Sequence, residues 1–461
     1  MRRWQPCTGA AWKPATVQRS RVGIVTLPAH TRFSRQGGRN RPNAASQLGI
    51  LLTAVLCLPS ANARDFEMGA CIHLALNRGD AKTVLPALAQ AGFTSFRDDI
   101  YWSPMEQQRG HIEMPARYRE LESAIDVLHK AGGSPLLILD FGNDLYDHGS
   151  QPTSSDAIEA FQRYVRFVVT RFKDRVEQYE VWNEWNTGFG TNPPQNHGDA
   201  TAYVKLLERT YDTIKSINPH ARVIGGSVAG ADLTWCKQFF AAGGLRYLDG
   251  FSVHSYTLFH LHSNPEVAIR ILDSVETEMR RLAPGSEKPI LITEMGWPTN
   301  QGRFGVPEGR AADYMVRFLA LARARPWIQG IWWYDLIDDG TNHAESEQQF
   351  GLLRSNLSQK PAYKAASRLG RMLAESSSVR SYALPGNGYA VVGHAHDRDW
   401  LVAWKLEPDV RGWEEGTAAA TDVGTEFEWV NPQLPDDGTP VLWERRYGDW
   451  VTVPIYPSGS H

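Results

Sequence analysis

The sequence predicts an eight-stranded parallel β/α barrel followed by a small antiparallel β-domain, and three observations support this fold class. Between residue 66 and about residue 374, short apolar segments alternate with segments whose apolar residues recur every three or four positions, as in parallel β/α units. Two of the apolar segments end in glutamate, and the composition changes after residue 376. In a TIM barrel the carboxyl ends of the strands carry the active site, so both glutamates would lie on one face.

The first half of the barrel is predicted to contain four strands, which cover residues 66–73, 95–97, 135–140 and 179–184. Asp80 is placed to cap the first helix, and Gly92 is placed to end it. The later helices follow from apolar residues between positions 118 and 128 and between 161 and 172.

The second half repeats this alternation, with strands predicted at residues 222–226, 250–256, 289–294 and 330–335. Its helices are predicted at residues 199–217, around Phe239, and at 265–282, 309–324 and 361–373. Eight strands that alternate with eight helices match the TIM barrel.

The domain organisation predicted from composition has three parts. Residues 1–63 form a signal or targeting region, residues 64–375 form the catalytic barrel, and residues 376–461 form an antiparallel β-sandwich accessory domain. The last part is rich in aromatic and β-branched residues broken by Gly, Pro and Asp. Either carbohydrate binding or packing against the barrel would suit it.

The first region is Arg-rich and poor in acids, and it is followed by an apolar run at residues 48–58 that is too short to span a bilayer comfortably. Ala61 and Ala63 are then spaced for cleavage by a signal peptidase. We expect an exported protein, periplasmic or extracellular. A start codon assigned too far upstream would explain the long basic segment.

Net charge and cysteine content argue against nucleic-acid binding and against a disulfide-stabilised fold. The formal net charge of −3 gives no reason to expect a nucleic-acid partner. After cleavage only Cys71 and Cys236 remain, too few for a disulfide framework, and sequence does not decide between one bridge and two buried thiols.

Two strand ends carry the residues best suited to chemistry. Residues 179–186 form a buried strand pattern that presents Asn183 and Glu184, and the pattern at residues 289–294 ends in Glu294. Two carboxyl groups at the same end of a barrel suit acid/base and nucleophilic work on a sugar. Three further polar residues are predicted at strand ends on this face: Arg97, His254 and Tyr256.

Tryptophan is frequent, with 16 residues, and indole rings stack well on the apolar faces of sugars. Several lie near predicted strand ends or in the loops that follow, where they could form sugar platforms: Trp102, Trp182, Trp185, Trp297, Trp332 and Trp333. Because side chains alternate along a strand, Trp332 and Trp333 cannot both face the barrel axis. Asn143 and Tyr146, after the third strand, are further candidates for a sugar contact.

These motifs resemble clan A of the glycoside hydrolases, and within it family 39, including bacterial endoglycosidases encoded with exopolysaccharide synthesis genes. The resemblance runs along the whole predicted barrel and includes residues 92–103 and 293–297. It implies a retaining endo-β-glycosidase that acts on a bacterial exopolysaccharide. Such an enzyme needs two carboxyl groups about 5 to 5.5 Å apart, one of which holds a proton because like charges so close oppose each other's ionisation.

The resemblance also implies individual roles. Glu184 would be the acid/base and Glu294 the nucleophile, which Arg97 and Tyr256 would keep ionised and aimed. Asn183 would hold the sugar 2-hydroxyl. His254 would either contact the substrate or form a hydrogen-bonded core residue.

One departure leaves the substrate open, since many clan members have Pro directly after the acid/base, where this chain has Trp185. A plant-cell-wall xylosidase, mannanase or glucanase is one alternative. A polysaccharide-binding or assembly protein that has lost turnover is another. We expect a monomer with a polysaccharide or oligosaccharide substrate, no cofactor and no metal site; association with exopolysaccharide synthesis or export machinery stays open.

Overall fold

Eight parallel strands form a closed barrel in the computed structural model of the chain, each paired with its neighbours in sequence and β1 paired with β8. The structure describes residues 66–191, 198–257, 264–385, 387–395, 398–407, 422–423, 427, 429–430 and 433–456. The barrel strands are β1 (Glu67–Cys71), β2 (Ser95–Tyr101), β3 (Leu136–Asp140), β4 (Gln178–Val181), β5 (Arg222–Ala229), β6 (Gly250–His254), β7 (Ile290–Met295) and β8 (Ile328–Trp333). The predicted TIM barrel is confirmed. The targeting region predicted at residues 1–63 lies outside the described residues.

The helices surround the barrel in the predicted alternation. They are α1 (Ala81–Gln90), α2 (Trp102–Met105), α3 (Arg119–Lys130), α4 (Ser155–Phe172), α5 (Ala200–Ile217), α6 (Leu233–Ala241), α7 (Pro265–Leu282), α8 (Glu308–Arg323) and α9 (Pro361–Ala374). Asp80 caps α1 as predicted, because its carboxylate accepts a hydrogen bond of 2.8 Å from the backbone N–H of Thr83. None of the helices in the described part of the chain has the length and apolarity needed to cross a membrane.

The Trp332 indole lies inside the barrel. The Trp332 side chain is buried there with a small apolar cluster, and its Nε1 donates to the Ser95 hydroxyl at 3.1 Å. Gly69 on β1 makes room for it, since a Cβ at that position would lie 2.4 Å from the ring. Trp333 packs on the helix side instead, with its ring 5.9 Å from that of Trp297. The two indoles therefore lie on opposite sides of β8, as side-chain alternation predicts.

The C-terminal strands form one sheet in the order β12-β9-β10-β11-β13-β14. They are β9 (Ser376–Leu384), β10 (Gly388–Ala395), β11 (Arg398–Lys405), β12 (Asp422–Val423), β13 (Val441–Arg446) and β14 (Asp449–Val453). All pairs are antiparallel except β12 with β9. The predicted antiparallel domain is therefore present after the barrel.

The sequence predicted a β-sandwich, in which a second sheet would pack on this one. In the structure one face of the sheet packs against the barrel instead. Trp400, Val402 and Trp404 of β11 belong to the same buried cluster as the barrel core, whereas Leu401 and Ala403 face the other way. Among the described residues, this second face is covered by side chains such as Val430 and Leu434. Apolar residues on both faces of a sheet show that each face packs against another part of the protein. The periodicity does not show whether that part is a second sheet or the barrel.

A buried arginine joins the sheet to the barrel. Arg317 of α8 donates to Glu266 of α7 at 2.5 Å and to Glu407, after β11, at 2.8 Å. The indole of Trp404 also donates to Glu266, at 2.8 Å. The side chains of Arg317 and Glu266 are both fully buried, so each charge depends on its partners in this cluster.

Candidate active site

The carboxyl ends of β4 and β7 bring the two predicted glutamates together. Glu184 follows β4 after an irregular turn in which both Trp182 and Glu184 have left-handed backbone angles, with φ of 67° and 50°. Glu294 belongs to β7 itself. One carboxylate oxygen of each glutamate and a ring nitrogen of His254 lie within 4.8 Å of one another. The barrel thus places two carboxyl groups about as close as a retaining glycosidase requires.

Arg97 connects three side chains at the centre of the site. Its Nη1 donates to Glu294 Oε1 at 2.6 Å, its Nη2 to Asn183 Oδ1 at 2.7 Å, and its Nε to Glu180 Oε2 at 2.6 Å. Burial works against the positive charge, but Glu180 and Glu294 outweigh it and raise the pKa of Arg97 well above its ordinary value. The guanidinium is therefore a fixed positive charge beside Glu294.

Glu294 is held in its ionised form. Tyr256 Oη donates to its Oε2 at 3.0 Å, opposite the bond from Arg97. Burial alone would raise the pKa of Glu294, but the electrostatic influence of His254 and of Arg97, with the hydrogen bonds from Tyr256 and Arg97, lowers it below its ordinary value. A buried carboxylate that stays ionised and has two fixed donors suits nucleophilic attack.

His254 bridges Glu184 to a second polar pair. Its Nδ1 lies 2.8 Å from Glu184 Oε1, and its Nε2 lies 3.0 Å from the Ser227 hydroxyl. That hydroxyl donates to Asn183 Oδ1 at 3.4 Å, and the backbone N–H of Glu184 donates to the Ser227 carbonyl at 3.1 Å. All six polar residues predicted from sequence therefore meet in one hydrogen-bonded network: Arg97, Asn183, Glu184, His254, Tyr256 and Glu294.

The predicted tryptophan platforms are not at this site. Each of these indoles is at most 2% exposed, so none offers a free face to a sugar: Trp102, Trp182, Trp185, Trp297, Trp332 and Trp333. Trp102 stacks on Tyr146 with ring centres 5.1 Å apart. Trp185 packs on Trp182 and donates to the Asp199 carbonyl at 3.0 Å. Trp332 lies in the barrel lumen, and the other rings pack between strands and helices, because a residue near a strand end can point toward the helices as well as toward the mouth.

Asn143 and Tyr146 are also structural in their contacts. The Asn143 amide donates to the Glu106 carbonyl at 2.9 Å, and the Tyr146 hydroxyl donates to the Glu106 carboxylate at 2.6 Å. Both side chains are buried. They stabilise the loop that follows β3. Cys71 and Cys236 are separate buried thiols, which decides the alternative left open by sequence.

Several residues at the barrel mouth had no predicted role. Ser227 has a left-handed φ of 45° just after Gly226, and the Gly-Gly pair before it was the only sequence signal of an irregular strand end. Phe189, in the loop after Glu184, is 55% exposed, and its ring centre lies 5.6 Å from that of Phe141. No pattern distinguishes such a loop phenylalanine from any other. It is the most exposed phenylalanine in the described part of the chain.

Two clusters of described residues have atoms of metal-ligand type within 4.8 Å of one another: Glu184, His254 and Glu294, and also His73, Asp335 and Asp339. In the second cluster His73 Nδ1 lies 2.8 Å from Asp339 Oδ1, and Arg78 pairs with the other oxygen of Asp339. Burial lowers the pKa of His73, but Asp339 and Asp335 outweigh it and raise this pKa to about 9. His73 and Asp339 therefore form an ion pair at neutral pH.

Comparison with known proteins agrees with the chemistry of this site. The family described as cellulase, glycosyl hydrolase family 5, matches residues 60–335, which is more than half of the chain. The chain belongs to this glycoside hydrolase family. The predicted membership of clan A is thereby confirmed, while the family matched is family 5, where the sequence resemblance pointed to family 39. No curated protein sequence matches this glycoside hydrolase.

Solved structures of both families are similar to this glycoside hydrolase. A family 39 glycoside hydrolase from the gut symbiont Bacteroides cellulosilyticus WH2 is 25% identical, with a TM-score of 0.62 over 75% of this chain and 72% of that one. A family 39 β-xylosidase from Caulobacter crescentus is 19% identical, with a TM-score of 0.54 over 85% and 94%. A GH5_18 protein from Streptomyces cattleya, solved with GlcNAc, is 20% identical, with a TM-score of 0.57 over 70% and 84%. The last two comparisons concern the fold alone.

Proposed function

We propose that this glycoside hydrolase is a retaining endo-β-glycosidase that cleaves a bacterial exopolysaccharide by double displacement. The observation that carries the retaining mechanism is the approach of a Glu184 oxygen, a Glu294 oxygen and a His254 nitrogen to within 4.8 Å of one another. The exopolysaccharide substrate and cleavage within the polymer rest on the resemblance of the sequence. Inverting enzymes need about 6.5 to 9.5 Å between the carboxyl groups to admit a water molecule, so this spacing favours retention.

In the first step, the Glu294 carboxylate attacks the anomeric carbon while the bond from that carbon to the leaving oxygen breaks. Glu184 gives its proton to the leaving oxygen, and a covalent glycosyl ester forms on Glu294. In the second step, water attacks the same carbon, Glu184 takes the water proton, and the bond to Glu294 breaks. The sugar keeps its β-configuration, and both glutamates return to their starting states.

The hydrogen-bond network suits this sequence of proton positions. When the His254 proton is on Nε2 and is donated to the Ser227 hydroxyl, Nδ1 is free to accept the carboxylic O–H of Glu184. Asn183 accepts from Arg97 through its oxygen, which leaves its amide N–H groups to bind the sugar 2-hydroxyl.

A zymogram on the producing organism's own exopolysaccharide, with Glu184→Gln and Glu294→Gln as controls, tests the function. We expect clearing by the wild type only. If all three proteins leave that polymer and a panel of xylans, mannans and β-glucans equally intact, the enzyme is not a hydrolase of these sugars, and a polysaccharide-binding role replaces it. Clearing on the panel alone would instead indicate a cell-wall β-glycosidase.

Proton NMR of the first product tests retention separately, since the β-anomer must appear before mutarotation. An initial α-anomer would contradict the proposed roles of the two glutamates. Product size distinguishes cleavage within the polymer from cleavage at its end: mixed oligosaccharides are expected, and a single small product would indicate an exo-enzyme.

Export and a monomeric state complete the proposal. They rest on the Ala61 and Ala63 pattern in the leader and on the absence of any oligomer requirement in the proposed chemistry. N-terminal sequencing of protein from the periplasm or medium should start near Arg64, and sedimentation should give a single protomer. Co-purification with the exopolysaccharide synthesis apparatus would test the association left open above.

A further inference from the structure

Glu180 of β4 is a buried carboxylate that the proposed reaction does not use. It is 0% exposed, and its Oε2 accepts a hydrogen bond of 2.6 Å from Arg97 Nε. Its Oε1 has no hydrogen-bond partner among the described residues. Because burying a charge is costly unless it is paired, a carboxylate kept in this place calls for a reason beyond packing.

We propose that Glu180 is a positioning residue, which fixes the orientation of the Arg97 guanidinium and sets how much positive charge Glu294 experiences. This inference rests on the proposed function, since it concerns the reactivity of Glu294 as the nucleophile. The sequence analysis paired Arg97 with Glu294 only, and the inference gives Arg97 a second carboxylate partner, Glu180.

The geometry explains how Glu180 would aim the arginine. A guanidinium is planar, so its N–H bonds point in fixed directions once one edge is held. Glu180 holds Nε, and this leaves Nη1 directed at Glu294 and Nη2 directed at Asn183. Without an acceptor at position 180 the group could rotate about its terminal bonds, and both of the other contacts would loosen. Glutamine at this position keeps an acceptor for Nε and removes only the charge.

The charges explain how Glu180 would tune the nucleophile. One guanidinium is shared by two carboxylates, so the charge of Glu180 offsets part of the pull that Arg97 exerts on Glu294. A carboxylate that is stabilised less remains a better nucleophile toward the anomeric carbon. Removal of the Glu180 charge would therefore stabilise the ionised Glu294 further and slow its attack.

Other titratable groups around Glu180 and Glu294 also influence the charge that Glu294 experiences. Those that face Glu294 or interact electrostatically with it are Cys71, Arg97, Glu184, His254, Tyr256, Tyr334 and Glu347. Asp140 and Tyr203 interact with Glu180 in addition to Arg97. Burial raises the pKa of Asp140 well above its ordinary value, as does its neighbour Asp99.

The test compares Glu180→Gln with Glu177→Gln, which removes an exposed carboxylate just before the same strand. For Glu180→Gln we expect kcat/KM to fall about 10-fold, because the more strongly stabilised Glu294 carboxylate attacks more slowly. The acid limb of the pH profile should move to lower pH, because Glu294 keeps its charge further into acid. Glu177→Gln should match the wild type in both measurements. An acid limb that stays in place or moves to higher pH in Glu180→Gln would overturn the inference, since loss of packing alone lowers the rate without that shift.

Glu180→Asp provides the second variant if the glutamine protein does not fold. It keeps the charge and shortens the reach by one methylene, so kcat/KM should fall while the acid limb stays near that of the wild type. An unchanged kcat/KM in Glu180→Asp would show that the orientation of Arg97 does not depend on this contact.

Carbon-13 NMR titration of the glutamate carboxyl groups, assigned with Glu294→Gln, measures the Glu294 pKa without turnover. It should be lower in Glu180→Gln than in the wild type. If the wild type hydrolyses no substrate, the proposed function fails, and this titration still decides the inference: an unchanged Glu294 pKa overturns it.

Discussion

His254 lies in hydrogen-bond contact with Glu184, its Nδ1 2.8 Å from Oε1, and in contact with Ser227 through its other ring nitrogen. The imidazole side chain is fully buried, so these two contacts fix its ring plane. Glu184 therefore has a hydrogen-bond partner of fixed orientation.

This contact predicts a dependence on the leaving group. His254→Phe removes the partner of Glu184, so proton donation should suffer most where the leaving group needs it. We expect kcat/KM to fall about 100-fold for poor leaving groups and much less for nitrophenyl glycosides, within the usual range for general acid catalysis. Ser227→Ala should produce a weaker effect of the same kind. Equal losses for all leaving groups would show that His254 acts only through folding.

The pH dependence should report the lowered pKa of Glu294. Because this pKa lies below its ordinary value, kcat/KM should remain high below about pH 4.3, where a free glutamate titrates, and fall as pH drops through the Glu294 pKa. Tyr256→Phe removes a hydrogen bond to the ionised form, so its acid limb should move to higher pH by about 0.5 to 1 unit. A limb that moves to lower pH would contradict the assigned contact.

Aromatic residues should separate into structural and binding roles. Trp102→Ala should cost about 3–5 kcal/mol of unfolding free energy in urea, as for other buried aromatic truncations, with KM unchanged. Phe189→Ala should leave unfolding unchanged and raise KM for oligosaccharides about 2- to 10-fold through lost stacking on a sugar. The reverse assignment of these two effects would place a tryptophan in the binding site after all.

The buried arginine between barrel and sheet should be a stability hot spot. Arg317→Ala leaves the buried Glu266 without its cation and leaves Glu407 with Arg310 alone, so we expect a loss of about 3–5 kcal/mol in urea unfolding. Adding Glu266→Gln should recover part of this loss, because the uncompensated charge is then removed. If the double variant is as unstable as the sum of the single ones, the two side chains are not coupled.

The barrel and the polar centre of the site could be predicted because both follow from local patterns. Strand and helix periodicities fixed the order of the elements, and the strand ends then placed Glu184 and Glu294 on one face. Arg97, His254 and Tyr256 followed from the same rule. These side chains are charged or polar and lie at buried strand ends, where such residues seldom have a purely structural role.

The aromatic residues could not be sorted in this way. An indole near a strand end can face the lumen, the helices or the mouth, and the choice depends on neighbours far away in sequence, as Gly69 opposite Trp332 shows. The irregular turn at Ser227 has the same origin, since its left-handed backbone is imposed by contacts with Glu184 and Ser252. Tertiary contacts of this kind leave no periodic signal.

The arginine on α8 also limits how this chain can recombine. Its guanidinium is balanced by one acid of the barrel and one that follows β11, so neither acid can be exchanged alone. If the C-terminal sheet were replaced by that of a distant homologue, Arg317 would lose Glu407 and keep only Glu266. The space that the Trp404 indole fills would also be left empty. In evolution the two parts are expected to be passed on as one piece, with α7, α8 and β11 changing together.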